Sequence, residues 1–118
     1  MPQVKPFGLQ PLRVPAGWTV EYNSAFYEVD PIAELVPEED RWWVFKEDML
    51  QMKHVRQNRL LDLGWGPEGD LERGHYKLVL YEGDFHGRLI HSFTESRDRL
   101  ATVTEIERIL DEVSRRQL

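Results

Sequence analysis

The side chains best suited to chemistry fall into two groups. Asp62, Glu68 and Asp70 bracket the run Gly64-Trp65-Gly66-Pro67, and Asp84, His86 and His91 flank a later turn. Paired carboxylates whose surroundings drive their pKa values apart can divide acid and base roles. Asp84, His86 and His91 near one hairpin end are donors that zinc accepts, but a zinc site needs three or four converging ligands with hydrogen bonds behind them. Local readings compete with both. Glu68 and Asp70 suit turns in which the side chain bonds nearby backbone, and Asp62 suits a solvated strand face. His86 sits in a turn, and His91 lies between Leu89 and Phe93 on an apolar face. These local readings take precedence, so no catalytic residue, metal ligand or cofactor is assigned. Gly64-x-Gly66-x-x-Gly69 has dinucleotide-fingerprint spacing, yet Pro67 lies inside it and a strand pattern follows where a helix is required. No serine occupies a nucleophile elbow, and no phosphate-binding loop occurs. With no cysteine, thiol nucleophiles, disulfides and thiolate metal sites are excluded.

A different pattern points to binding. The net charge is −6, and residues 28–48 carry all of it, with eight acids against two bases. Within that segment Glu34, Glu38, Glu39, Asp40, Glu47 and Asp48 surround Trp42, Trp43 and Phe45. Aromatic residues anchor protein interfaces, and surrounding charge steers a complementary partner. These nine residues are the candidate partner-binding set. The competing reading makes the aromatics core and the acids a solvated loop. The one basic cluster, Lys53, His54, Arg56 and Arg59, holds no aromatic residue for base stacking, and an acidic chain repels phosphate; nucleic acid is not expected as a partner.

The elements that must position these residues follow from periodicity. Residues 76–81 and 88–93 alternate around a Gly-containing turn and predict a β-hairpin, with Leu89, His91 and Phe93 on one face. Leu100, Val103, Ile106, Ile109, Leu110 and Val113 recur at helical steps and predict one amphipathic helix, with Asp98 or Thr102 as cap. Asp111–Arg115 and Glu112–Arg116 have favourable ion-pair spacing. Upstream, residues 18–22, 25–29 and 59–65 read as strands. Residues 41–52 fit a strand, although Trp42, Phe45, Met49 and Met52 also fit helical spacing. Residues 1–16, with four prolines, read as an extended arm pinned by Phe7, Leu9, Leu12 and Val14, and residues 17–118 as one domain. The expected fold is α+β: an antiparallel, meander-like sheet of five or six strands with a C-terminal amphipathic helix packed on one face. No apolar run spans a bilayer and no signal peptide pattern opens the chain, so a soluble cytoplasmic protein is expected.

The stretches Trp18-x-Val20-x-Tyr22-Asn23, Phe26-Tyr27-x-Val29-Asp30-Pro31, residues 45–52 and residues 61–70 resemble small bacterial proteins that are similar to immunity partners of polymorphic or contact-dependent toxins. The resemblance covers most of the chain after Gly17 and carries no functional residue across. It implies a non-catalytic inhibitor that covers a basic toxin active site. Two alternatives stand beside it. One is a small enzyme using Asp62, Asp70, His86 and His91 at the 65–70 loop and the 84–91 hairpin. The other is a homodimerising structural domain.

Overall fold

Residues that alternate between apolar and polar along the middle of the chain form strands because each then buries one side only. A computed structural model of the chain describes residues 7–118. Five strands, β1 (Trp18–Asn23), β2 (Leu50–His54), β3 (Arg59–Gly66), β4 (His75–Glu82) and β5 (Leu89–Ser96), pair antiparallel in chain order. Directly paired residues share a face. The register Met52↔Leu61↔Leu80, with Leu63↔Leu78 and Trp65↔Tyr76, therefore builds one apolar surface. Helix α2 (Arg99–Ser114) covers it with Ile106, Ile109, Leu110 and Val113, all fully buried. The expected α+β architecture with a terminal helix on one face is the architecture observed.

Asp98 caps α2, its side chain accepting the Ala101 N–H at 3.0 Å, while Thr102 is buried and donates to the Asp98 carbonyl. Asp111 pairs with Arg115 at 3.1 Å. Glu112 instead pairs with Arg108, because the chain leaves the helix and Arg116 takes a positive φ. Leu100 lies at the first turn and is exposed.

Three strand expectations fail for identifiable reasons. Residues 25–29 form no strand. Ala25, Phe26, Tyr27 and Val29 are all buried and only Glu28 is exposed, so the two sides do not alternate and the segment packs as an irregular plug. The arm satisfies its backbone: Gln10 donates to the Phe26 carbonyl at 2.8 Å, and Glu28 to the Gly8 carbonyl at 2.9 Å. Residues 41–44 are a short helix, α1 (Arg41–Val44), entered through a 3-10 turn at Glu38–Asp40. The turn is helical, but its burial does not follow the helical stripe either: Phe45, Met49 and Met52 are inside with Val44, whereas Trp42 is outside. Leu89 pairs with Tyr81, beyond a register shift that separates it from the face of His91 and Phe93. Of the arm, residues 1–6 lie outside the described residues; Phe7 and Leu12 pack on the core, whereas Leu9 and Val14 are exposed.

The sheet is covered on one face only. On the covered side, Trp65 packs against Phe45 in a tilted contact with ring centroids 4.7 Å apart and meets Tyr76 edge-on at 5.0 Å. The other face is shaped by residues 46–49. Met49 donates to the Leu63 carbonyl at 3.0 Å, and Trp65 to the Lys46 carbonyl at 2.9 Å. Between these bonds Glu47 and Asp48 stand exposed, in the manner of a bulge. The crossing is so close that a Cβ on Gly64 would lie 1.8 Å from the Glu47 carbonyl oxygen. Gly64→Ala is therefore expected to lower stability by roughly 2–3 kcal/mol in urea unfolding, since backbone must move to admit the methyl group. Gly8→Ala, where nothing lies within 4 Å, is expected to change it little.

Candidate functional site

The helical turn at Arg41–Val44 divides the candidate aromatic set. Trp42 is 66% exposed, whereas Phe45 is 1% exposed and belongs to the core. Trp43 is half-buried, meets Tyr27 edge-on at 5.6 Å and donates its indole N–H to Asp40 at 3.2 Å. Asp40 is itself only 4% exposed. Asp40, Trp43 and Phe45 thus hold the turn in place instead of facing a partner. Glu34, Glu38, Glu39, Glu47 and Asp48 are exposed and remain available.

Trp42 lies against Gly69. A Cβ there would stand 2.4 Å from the indole ring, and Gly69 (φ +73) donates to the Phe45 carbonyl at 2.7 Å. Around this exposed ring runs an open groove of about 410 Å³ that includes Glu38, Glu68, Asp70 and Glu72. Arg41 reaches Glu72 only at 4.0 Å, and Asp70 is occupied locally. Its carboxylate accepts the Arg73 N–H at 2.9 Å and the guanidinium at 2.7 Å, and these bonds hold its pKa down. Glu68 does not bond its own loop as expected; it accepts the Glu47 N–H at 2.7 Å and ties the 66–70 loop to the bulge.

A second concavity, of about 530 Å³, opens beside the bulge on the uncovered face of the sheet. Glu47, Asp48 and Asp62 line one part and Lys77 another, with Tyr81 and Phe85 as an aromatic wall. Asp62 is on the outer face as expected but is not freely solvated. Burial raises its pKa, and the charges of Asp48 and Glu47 raise it further, against the lowering hydrogen bond from Gln51. Tyr22 lies 3.4 Å from Asp62 and is pushed up to about 12 by burial and by the Asp62 and Asp48 charges. Among the described residues, no lysine or arginine comes within ion-pairing distance of Glu47, Asp48 or Asp62.

The histidines lie elsewhere. His91 contacts Glu105 of α2 at 2.6 Å on the helix side of β5, opposite the Asp62 face. Arg108 completes that cluster at 2.8 Å from Glu105. His86 is exposed at the hairpin tip, with only its backbone N–H bonded to Asp84. His54 is buried and accepts the Gln57 N–H at 3.1 Å. Asp62, Asp70, His86 and His91 are therefore not brought together, and among the described residues no three His, Asp or Glu side chains are grouped to hold a metal ion. No helix among them is long and apolar enough to cross a membrane. The Asp62 concavity was the feature missed from sequence; it depends on the contact between residues 47 and 64.

Comparison with known proteins yields no match to this chain, whether against family models, curated proteins or solved structures.

Two carboxylates should answer acid in opposite senses. Hydrogen bonds from Arg108, with help from His91, hold Glu105 down from 4.5 to about 2. Its contribution is complete above 4.5 and is lost as pH falls toward 2. Glu105→Gln is expected to cost about 1–2 kcal/mol at neutral pH and less in acid. Asp62 is shifted upward, so the fold prefers its neutral form and its ionisation costs stability at neutral pH. Asp62→Asn is expected to raise the urea midpoint at neutral pH with the slope unchanged, the gain disappearing once acid protonates the wild-type carboxyl. Urea midpoints measured across pH check both. An Asp62→Asn midpoint below wild type at neutral pH contradicts the burial argument.

Proposed function

We propose that this protein is a non-catalytic binding module that docks a basic protein through the surface built by residues 38–48 and the 66–72 loop. Its concrete form is an immunity-type inhibitor, which covers the basic active site of a toxin and mimics that enzyme's polyanionic substrate. The observation that supports this most is Trp42, 66% exposed, seated on Gly69 amid Glu38, Glu68 and Glu72. An exposed tryptophan on a rigid seat loses little side-chain freedom on binding and offers a large apolar contact. Acids around it raise the encounter rate with a positively charged surface. A cytoplasmic setting belongs to the same proposal, since a toxin inhibitor of this kind acts where the toxin's target lies.

The enzyme alternative lacks comparable support. Asp62 faces the uncovered side of the sheet, His91 the helix side, Asp70 is engaged by Arg73, and His86 stands at a hairpin tip.

The test is capture from a lysate of the source cells at low and high salt, followed by affinity measurement on the recovered partner. A stoichiometric basic protein is expected. Trp42→Ala should weaken it by about 2 kcal/mol, roughly thirtyfold. Reversal of Glu47 and Asp48 to lysine should slow association and flatten its salt dependence. Equal affinity for wild type and both variants, or recovery of the chain alone, overturns the proposal.

A further inference from the structure

The concavity beside the bulge has a construction that the docking surface does not require. It is lined by Gly64 and Gly66, two successive outward positions of β3 that carry no side chain. A Cβ on Gly64 would strike the Glu47 carbonyl, and one on Gly66 would lie 2.7 Å from Lys77 Cε. The two glycines thus let the Glu47 backbone and the Lys77 side chain close down on the strand, where they frame the opening. Four carboxylates border the space, Glu47, Asp48, Asp62 and Glu68, and among the described residues none has a cation within 4.0 Å. Lys77 lies over Gly66, with Nζ 2.8 Å from where that Cβ would be, and offsets only part of the negative charge. On the other side Phe85, 51% exposed, meets Tyr81 with ring centroids 5.6 Å apart, and both rings line the opening.

Carboxylates on one side and aromatic rings on the other match a particular cation. A guanidinium group is planar, weakly hydrated and able to bond a carboxylate through two parallel N–H groups while its face rests on a ring. An ammonium group is more strongly hydrated and cannot stack in this way. Low-dielectric walls concentrate the field of Asp48 and Asp62 in the opening. We propose that this concavity binds a guanidinium group on an alkyl arm, with Asp62 and Asp48 as its anionic partners and Phe85 and Tyr81 as its stacking wall.

The same chemistry arrives from two sources: an arginine side chain of a polypeptide, or a free small molecule such as agmatine. The polypeptide source rests on the docking reading above; the free source does not. The raised pKa of Asp62 is consistent with the site, because a half-buried carboxylate without a cation is a charge that a bound cation would relieve.

The test is a titration of the full chain with agmatine and, separately, with a capped tripeptide containing arginine, followed by amide chemical shifts at low and physiological salt. Shifts should concentrate at Asp48, Asp62, Tyr81 and Phe85. Asp62→Asn, which is expected to fold at least as stably as wild type, should weaken binding roughly tenfold, while Trp42→Ala should leave it unchanged. Tighter binding of the tripeptide assigns the polypeptide source, and tighter binding of agmatine the free one; either supports the site. Shifts scattered over all acidic residues, or equal affinity in wild type and Asp62→Asn, overturn it. Agmatine binding in a chain that captures no basic protein removes the docking reading and leaves this one. Capture of a basic protein with neither probe bound does the reverse.

Discussion

The carbonyl oxygen of Glu47 occupies the space that a side chain on Gly64 would need. This one crossing organises the acidic side of the molecule. It lets residues 46–49 hydrogen-bond along β3 at Leu63 and Trp65 while Glu47 and Asp48 stand away from the ladder. It brings Phe45 onto Trp65, so the bulge is held from the core side by a ring contact at 4.7 Å. It also fixes where α1 ends, and hence where Trp42 meets Gly69. A methyl group at Gly64 would open the crossing, and the ring contact, the bulge and the tryptophan seat would loosen together. Glycine in a strand weakens it through lost packing and greater backbone entropy, and its use here is explained by the close approach it allows.

A five-stranded sheet with one helix leaves one face without a layer, and the acids on the two sides are treated differently. On the helix side Glu105 has Arg108 and His91, and Glu112 has Arg108. Those carboxylates are paired and hydrogen-bonded, and Glu105 is held strongly in its ionised form. On the uncovered face Asp62 is half-buried, faces Asp48 and Glu47, and has a tyrosine hydroxyl and an amide for neighbours instead of a cation. A chain selected for stability alone would place a lysine across the strand from Asp62; Val79 occupies that position. Local conflict of this kind, kept within an otherwise consistent fold, is the mark expected of a surface that serves binding.

Much of the frame was legible in the sequence because its signals are local. The stripe from Ile106 to Val113, the alternation in residues 76–81 and the capping by Asp98 each depend on neighbours a few residues apart. The failures share a cause. Residues 25–29 have strand composition, but four of the five are buried between the core and the arm, and the contact with the arm spans some eighteen positions of sequence. Residues 41–52 read as strand, with helical spacing at Trp42, Phe45, Met49 and Met52 as the alternative; packing makes residues 41–44 a helical turn, takes Phe45 inward and leaves Trp42 out. Leu89 was placed with His91 and Phe93 by simple alternation, which a register shift defeats. The concavity was not legible at all. Glu47 and Gly64 look unrelated in the sequence, and only sheet pairing makes them touch.

The two proposed recognition features share one support but differ in physics. Trp42 offers apolar area, whose contribution to binding depends weakly on salt. The acids around the bulge offer a field that is screened within about 8 Å at physiological ionic strength. A generic polycation satisfies the second feature and not the first, and an apolar peptide the reverse. Only a partner that presents an apolar socket and a guanidinium at the spacing set by residues 41–48 satisfies both. Discrimination then comes from the rigidity of that spacing, which is fixed by backbone contacts at Gly64 and Gly69 and not by flexible side chains. Net charge alone gives such a module attraction; the crossing at Gly64 is what would give it selectivity.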